Sequence, residues 1–283
     1  MKDPSRGYLL CCIERTGSNL LAEALAGTGI AGRPLEYFNP VEQNQPWMRS
    51  ILGDSGLVNG ILKVLRAGTT ANGVFAAKCH WSHLRHLGML IRREWSESER
   101  TAMYSTVRSQ LPGLISEQAA YVILSPRFSH LSGHLEAYKL FESHLPDIDI
   151  VWLKRRNMIA RAISHFRAKQ TGIWYKDSSN TGKQLREHAY EFDLEEIHAL
   201  YLIGCFQEEM WRQFFHVRGL SPHVVIYEDL VARYEPTVRG VLDFLQLEIG
   251  QSAIPQPIGM KQADALSDEW EQRYRQWRIE AGL

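Results

Sequence analysis

The sequence predicts an α/β fold in which a central, mostly parallel sheet is flanked by helices. Three observations predict it. Short apolar runs of strand character recur at 7–13, 73–79, 147–156 and 223–230. Stretches with a helical apolar side stand between or after them, at 18–26, 157–170, 193–217 and 235–247. A chain of 283 residues is long enough for one large domain of this kind, so residues 1–283 are read as a single unit. Strands alternating with helices argue for parallel strands covered on both faces.

The elements follow in order. "GYLLCCI" (7–13) is a continuous apolar run bounded by turn residues, as a strand buried on both faces should be. "SNLLAEALA" (18–26) places Leu20, Leu21, Ala24 and Leu25 on one side of a helix that Gly27 should stop. "GVFAAKC" (73–79) is a second strand. "DIDIVWLKRR" (147–156) is a third, and it turns basic at its end. "NMIARAISHFRAKQ" (157–170) and the long stretch 193–217 are helices, and "HVVIYEDL" (223–230) is a fourth strand. "EPTVRGVLDFLQL" (235–247) is a helix with proline near its start. The charged tail is helical after Ser267, which reads as its N-cap, and 172–192 is a polar insertion.

Composition removes several classes of function. Lys plus Arg and Asp plus Glu are both 32, so the basic excess expected of a duplex nucleic-acid binder is missing. The four cysteines form no C-x-x-C pair, and Cys11 and Cys12 read as small buried thiols. At this length roughly 75% of the unfolded surface can be buried, so neither disulfides nor metal are required for stability. The start lacks a secretory h-region, and no stretch approaches the ~20 apolar residues of a membrane span. A cytoplasmic protein is expected.

The chemistry begins after the first strand, where the turn reads Glu14-Arg15-Thr16-Gly17-Ser18-Asn19. A strand–turn–helix unit aims backbone N–H groups and the positive end of a helix dipole at an anion. Gly17 allows close backbone approach. Thr16, Ser18 and Asn19 offer side-chain donors, and Arg15 adds a permanent charge with a planar donor fork. The plainer alternative is a helix N-cap made by Thr16 or Ser18 beside a surface arginine. The G-x-x-x-x-G-K-[ST] loop that serves nucleoside triphosphates with magnesium is absent. A sulfuryl group carries one charge fewer in transfer, and a single cation at the bridging oxygen can meet it. The loop therefore points to the 5' end of 3'-phosphoadenosine 5'-phosphosulfate (PAPS), without metal.

PAPS also carries a 3'-phosphate, so a second basic cluster is required. Lys154, Arg155 and Arg156 end the third strand, and Ser164 stands about two helical turns beyond Arg156. An arginine at a strand end and a hydroxyl on the same side of the following helix can grip one phosphate together. Whether Arg155 or Arg156 does so is open at this stage, as is a solvated basic loop with no ligand.

The ordered set "RTGSNLL", "RPLEYFNP", "NGVFAAK", "LKRRN…AIS…RAKQTGIW" and "QADALSDEW…RY" resembles the bacterial trehalose 2-sulfotransferase family and shares the two-phosphate plan of PAPS-dependent sulfotransferases. The likeness runs from about residue 7 to 280 and lapses at 40–70 and 172–192. It implies a P-loop-like three-layer α/β fold, PAPS as donor and 3'-phosphoadenosine 5'-phosphate (PAP) as product, no metal, and a homodimer. It also implies that the stretch holding Lys261 and Gln262 closes over the nucleotide.

Transfer to an alcohol needs a general base. Glu36 stands between Pro34 and the aromatics Tyr37 and Phe38, where partial desolvation would raise its pKa. The resemblance makes it the base. His80 is the competitor. Lys78 is placed to assist Arg15 at the transferring group. Trp81 and Trp174 are candidates for stacking on a sugar or adenine face, and Arg33, Arg167 and Gln170 for lining the acceptor pocket. The acceptor is read as a hydroxyl of a sugar, glycolipid or other polar small molecule. Two other classes stay open from the residues: a P-loop-type nucleotide kinase, and a non-catalytic nucleotide-binding module in which Glu36 is incidental.

Overall fold

Four parallel strands form the sheet, in the order β2-β1-β3-β4, with β1 at Arg6–Cys12, β2 at Val74–His80, β3 at Ile148–Lys154 and β4 at His223–Ile226. The computed structural model describes residues 3–39, 56–92, 131–145, 147–174, 191–250, 254–256 and 264–283. Cys11 pairs in register with Cys79 on one side and Trp152 on the other, so the carboxyl ends of β1, β2 and β3 come side by side. The chain leaves β1 toward β2 and returns on the opposite flank to β3. That reversal opens a crevice beyond the carboxyl ends, the place where open parallel sheets bind ligands.

Both faces are buried along β1, β2 and the middle of β3, which is why those strands read as unbroken apolar runs. On β1, Leu9, Cys11 and Ile13 enter one core while Tyr8, Leu10 and Cys12 enter the other. The first core is closed by α2 (Gly56–Ala67), α3 (Trp81–Arg92), α4 (Ser132–Glu142) and the far half of α6 (Leu194–Arg218). The second is closed by α1 (Ser18–Gly27) and α8 (Tyr234–Phe244). A third, smaller cluster joins α5 (Met158–Thr171), the near half of α6 and α9 (Ala265–Glu280) through Ile163, Phe166, Leu200, Trp270 and Tyr274. All four cysteines are free thiols, and Cys11 and Cys12 are fully buried.

Three sequence expectations change. The fourth strand ends at Ile226, because "YEDL" opens the short helix α7 (Tyr227–Ala232). The reason is polar: the Glu228 carboxylate turns back to accept from the backbone N–H groups of Arg156 and Asn157, at 3.0 and 3.1 Å. The tail helix starts earlier than Ser267, with Asp264 as N-cap accepting from Ser267 N–H. Helices α2, α3 and α4 were not foreseen. Among the described residues no helix is long and apolar enough to cross a membrane.

Candidate active site

The loop after β1 turns by alternating backbone hand, with φ of 67° at Arg15 and 82° at Gly17. Gly17 has a second constraint, since a Cβ there would run into the Tyr227 ring. It is also the N-cap of α1, with no side-chain cap among the described residues, so neither Thr16 nor Ser18 fills the helix start. The Thr16 hydroxyl instead donates to Ile13 O at 2.8 Å, inside the loop. The first N–H groups of α1 are thereby left for a ligand.

Guanidinium groups surround the loop. Arg155 Nη1 donates to the Arg15 carbonyl at 3.1 Å and its head lies 4.7 Å over the Tyr227 ring. Arg161 Nη1 donates to the Glu14 carbonyl at 3.1 Å. Two successive carbonyls are thus drawn to one side, which turns the intervening peptide N–H groups to the other. Arg15 Nε donates to Ser164 Oγ at 3.0 Å, and its Nη1 donates to the Trp174 carbonyl. Burial lowers the Arg15 pKa to about 10, helped by the Arg155 charge. Desolvation and the neighbouring guanidinium charges both disfavour its charged form.

The second expected phosphate grip is assembled differently from the sequence reading. Ser164 meets Arg15, whereas Arg156 points outward and pairs with Asp229 at 2.6 Å. Arg155 is half-buried, and among the described residues its Nε has no hydrogen-bond partner. Lys154 pairs with Glu208 at 3.4 Å. Lys261 and Gln262 lie outside the described residues.

Beside the loop lies a compact charged network. Glu36 Oε1 is 2.8 Å from Lys78 Nζ, and its Oε2 accepts from Asn39 Nδ2 at 2.6 Å. Lys78 also donates to Asn19 Oδ1 at the start of α1. The His80 ring sits between two carboxylates, with Nδ1 3.4 Å from Glu14 and Nε2 3.5 Å from Glu36. Both are ion-pair distances and neither is an aligned hydrogen bond. His83 stacks on His80 with ring centres 4.7 Å apart, and Ser82 donates to Glu14 at 3.4 Å.

The electrostatics correct one expectation. Burial does push the Glu36 carboxyl upward, as its aromatic setting suggested. The charges of His80 and Lys78 outweigh that push and hold it at about 2. Burial likewise pushes His80 down, but Cys12 and the Glu14 carboxylate reverse this and keep it well above its ordinary value. Glu14 is lowered because His80 outweighs its own desolvation. The group reads as Lys78⁺, His80⁺, Glu36⁻ and Glu14⁻, with no net charge, beside a neutral His83 pushed down to about 3 by burial.

The remaining acceptor candidates separate. Trp174 is 48% exposed and edge-on to His165, and its carbonyl accepts from Arg15. Trp81 is a core residue: it stacks on His134 at 3.5 Å between centres and meets Trp211 edge-on, so its ring serves packing. Arg33 ties the α2–β2 turn by donating to the carbonyls of Ala67 and Thr69 at 3.1 and 3.0 Å. Arg167 grips Asp264 with both Nη groups and pins α9 to α5. Gln170 donates to Glu191 O at 2.8 Å, while its buried Oε1 has no partner among the described residues. Reading the sequence missed Glu14, Arg161 and Tyr227. Only Arg161 left a signal, as an arginine on the otherwise apolar side of α5 (Ile159, Ala162, Ile163, Phe166).

Residues 7–99 and 104–277 match the Stf0 sulphotransferase family. The chain belongs to this family. Two curated sulfotransferases are its relatives at 27% identity: the trehalose 2-sulfotransferase of Mycolicibacterium smegmatis covers 100% of this chain and 99% of its own. That of Mycobacterium tuberculosis covers 98% and 97%. Among solved structures, the Alicyclobacillus acidocaldarius sulfotransferase aligns with 99% of this chain and 96% of its own, at 14% identity and a TM-score of 0.42. The sulfotransferase domain of the curacin biosynthetic pathway aligns with 97% and 98%, at 15% identity and 0.39. In this sulfotransferase the anion-ready loop and the Glu36 network share the crevice beyond β1, β2 and β3.

Proposed function

We propose that this enzyme transfers a sulfuryl group from PAPS to a hydroxyl of a sugar or other polar small molecule, with Glu36 as general base. One observation carries the reading: Lys78 touches both Asn19 on the donor loop and Glu36, coupling the anion cradle to the base.

The cradle suits the donor. It presents N–H groups at the start of α1, two half-buried arginines, and an Arg155 Nε that has no partner among the described residues. PAPS supplies the sulfuryl group and leaves as PAP. Arg15 and Lys78 neutralise charge gathering on the bridging oxygen and sulfuryl oxygens. Arg156 and Ser164 stand on either side of the start of α5; Arg156 takes the 3'-phosphate in exchange for Asp229, supported by Arg155. Glu36 accepts the acceptor's proton as its oxygen bonds to sulfur and the sulfur–bridging-oxygen bond breaks. His80 serves this reading less well as base, because an imidazolium between two carboxylates has no lone pair to offer. A low Glu36 pKa keeps the carboxylate ionised at all working pH values, at some cost in proton affinity.

The names of the curated relatives make trehalose the first acceptor to try. The single-unit chain, the homodimer and the cytoplasmic setting belong to the same proposal. The test is transfer of labelled sulfuryl from PAPS in excess chelator, alongside calorimetry with PAP. Product with trehalose or a related sugar supports the reading. Phosphoryl transfer from ATP that requires magnesium moves it to a kinase, and PAP binding without turnover on a broad acceptor panel moves it to a sensing module.

A further inference from the structure

Arg161 is fully buried, with a relative exposure of 0%, yet among the described residues it forms no ion pair. Its Nη1 holds the Glu14 carbonyl at 3.1 Å, its Nη2 holds the Leu200 carbonyl of α6, and its Nε has no partner. Glu14 and Glu208 lie near enough to offset part of its charge, but neither forms an ion pair with it. Glu14 faces His80 and Ser82, and Glu208 faces Lys154. Room for the guanidinium exists only because α6 carries a glycine there: a Cβ on Gly204 would fall 2.5 Å from Nη2 and 2.6 Å from Cζ. Burying a permanent cation without an ion-paired counter-charge is expensive, and replacing such a group with an apolar one of equal volume is often neutral or stabilising.

We propose that Arg161 is a positioning residue for the donor, a buried cation whose counter-charge is the anion bound in the loop after β1. It acts in two ways. By holding Glu14 O it sets the peptide that precedes Arg15, whose φ of 67° turns the loop's N–H groups toward the anion. Its charge also adds to those of Arg15 and Arg155 in a water-poor setting, where a field reaches further than in solvent. This rests on the donor reading given above, and it predicts that removing Arg161 harms the liganded state more than the free one.

The test compares the full-length enzyme with Arg161→Met, Arg161→Lys and Gly204→Ala, using PAP and inorganic pyrophosphate as probes. Arg161→Met should raise the PAP Kd at least tenfold and the donor KM in parallel. The acceptor KM should be unchanged, and the melting temperature without ligand within a few degrees of wild type. Arg161→Lys should recover part of the affinity. Gly204→Ala, which keeps the charge but displaces it, should also weaken PAP. If either Arg161→Met or Gly204→Ala folds and binds PAP within twofold of wild type, the proposal is wrong. It is equally wrong if Arg161→Met lowers the melting temperature strongly while keeping the ligand-induced shift. Should wild type respond to pyrophosphate but not to PAP, the donor reading fails while the same variants still decide the role of Arg161.

Discussion

Lys78 Nζ and Glu36 Oε1 stand 2.8 Å apart at the carboxyl end of β2, with the lysine side chain 6% exposed and the glutamate 24%. This contact decides how the proposed base behaves. The Glu36 pKa of about 2 lies below its ordinary 4.5. The rate should therefore lack an acid limb from Glu36 between neutrality and about pH 5. Lys78→Met removes a cation but leaves the desolvation, so a limb should emerge at higher pH. pH–rate profiles of both proteins check this, and identical profiles would separate Lys78 from the base. The same shift bears on stability. A depressed carboxyl stabilises the fold above pH 4.5, and that contribution is lost as pH falls through about 2. Glu36→Gln should accordingly flatten the acid arm of stability against pH.

His80 carries the opposite sign. Its folded pKa is raised, so its stabilising contribution is complete below about pH 6.5 and fades as pH climbs through the folded value. Nitrogen-detected NMR should find the His80 ring doubly protonated at pH 7.5 in the free enzyme, with His83 neutral. A neutral His80 at that pH would return it to the list of bases.

On the donor side, Arg15→Ala and Arg156→Ala each remove a charge-assisted contact worth about 1.5–3 kcal/mol, and Ser164→Ala a neutral one worth about 0.5–1.5 kcal/mol. Calorimetry with PAP should show that order of loss. Unchanged affinity in both arginine variants would dissolve the two-phosphate arrangement.

Gly17→Ala forces a side chain into φ of 82° and into the Tyr227 ring. Left-handed backbone at a non-glycine residue costs about 1–3 kcal/mol. The variant should melt lower and lose PAP binding together. A variant of wild-type stability and affinity would show that the loop need not close on Tyr227.

The sheet was legible because both faces of β1, β2 and β3 are buried, which writes each strand as an apolar run. "YEDL" misled because a strand end and a short acidic helix start look alike until the N–H groups that Glu228 satisfies are known. The loop, Glu36 and His80 could be found as residue types beside strand ends. Their pairing could not. Glu14 and Glu36 lie 22 positions apart and meet only through His80, so the direction of the Glu36 shift depends on contacts that strand register creates. Arg161 left a mark on the apolar side of its helix, but its partners could not be read, since they sit on β1's loop and on α6.

The most direct test of the whole account is the single-turnover rate of Glu36→Gln with saturating PAPS and an acceptor that wild type sulfates. The amide keeps the size and much of the hydrogen bonding but cannot take the hydroxyl proton. A general base contributes about 10²–10⁴-fold. The account predicts a fall of at least about a hundredfold with PAP affinity within twofold of wild type. Near-normal turnover in Glu36→Gln, with His80→Ala inactive, would contradict it and give the proton to His80.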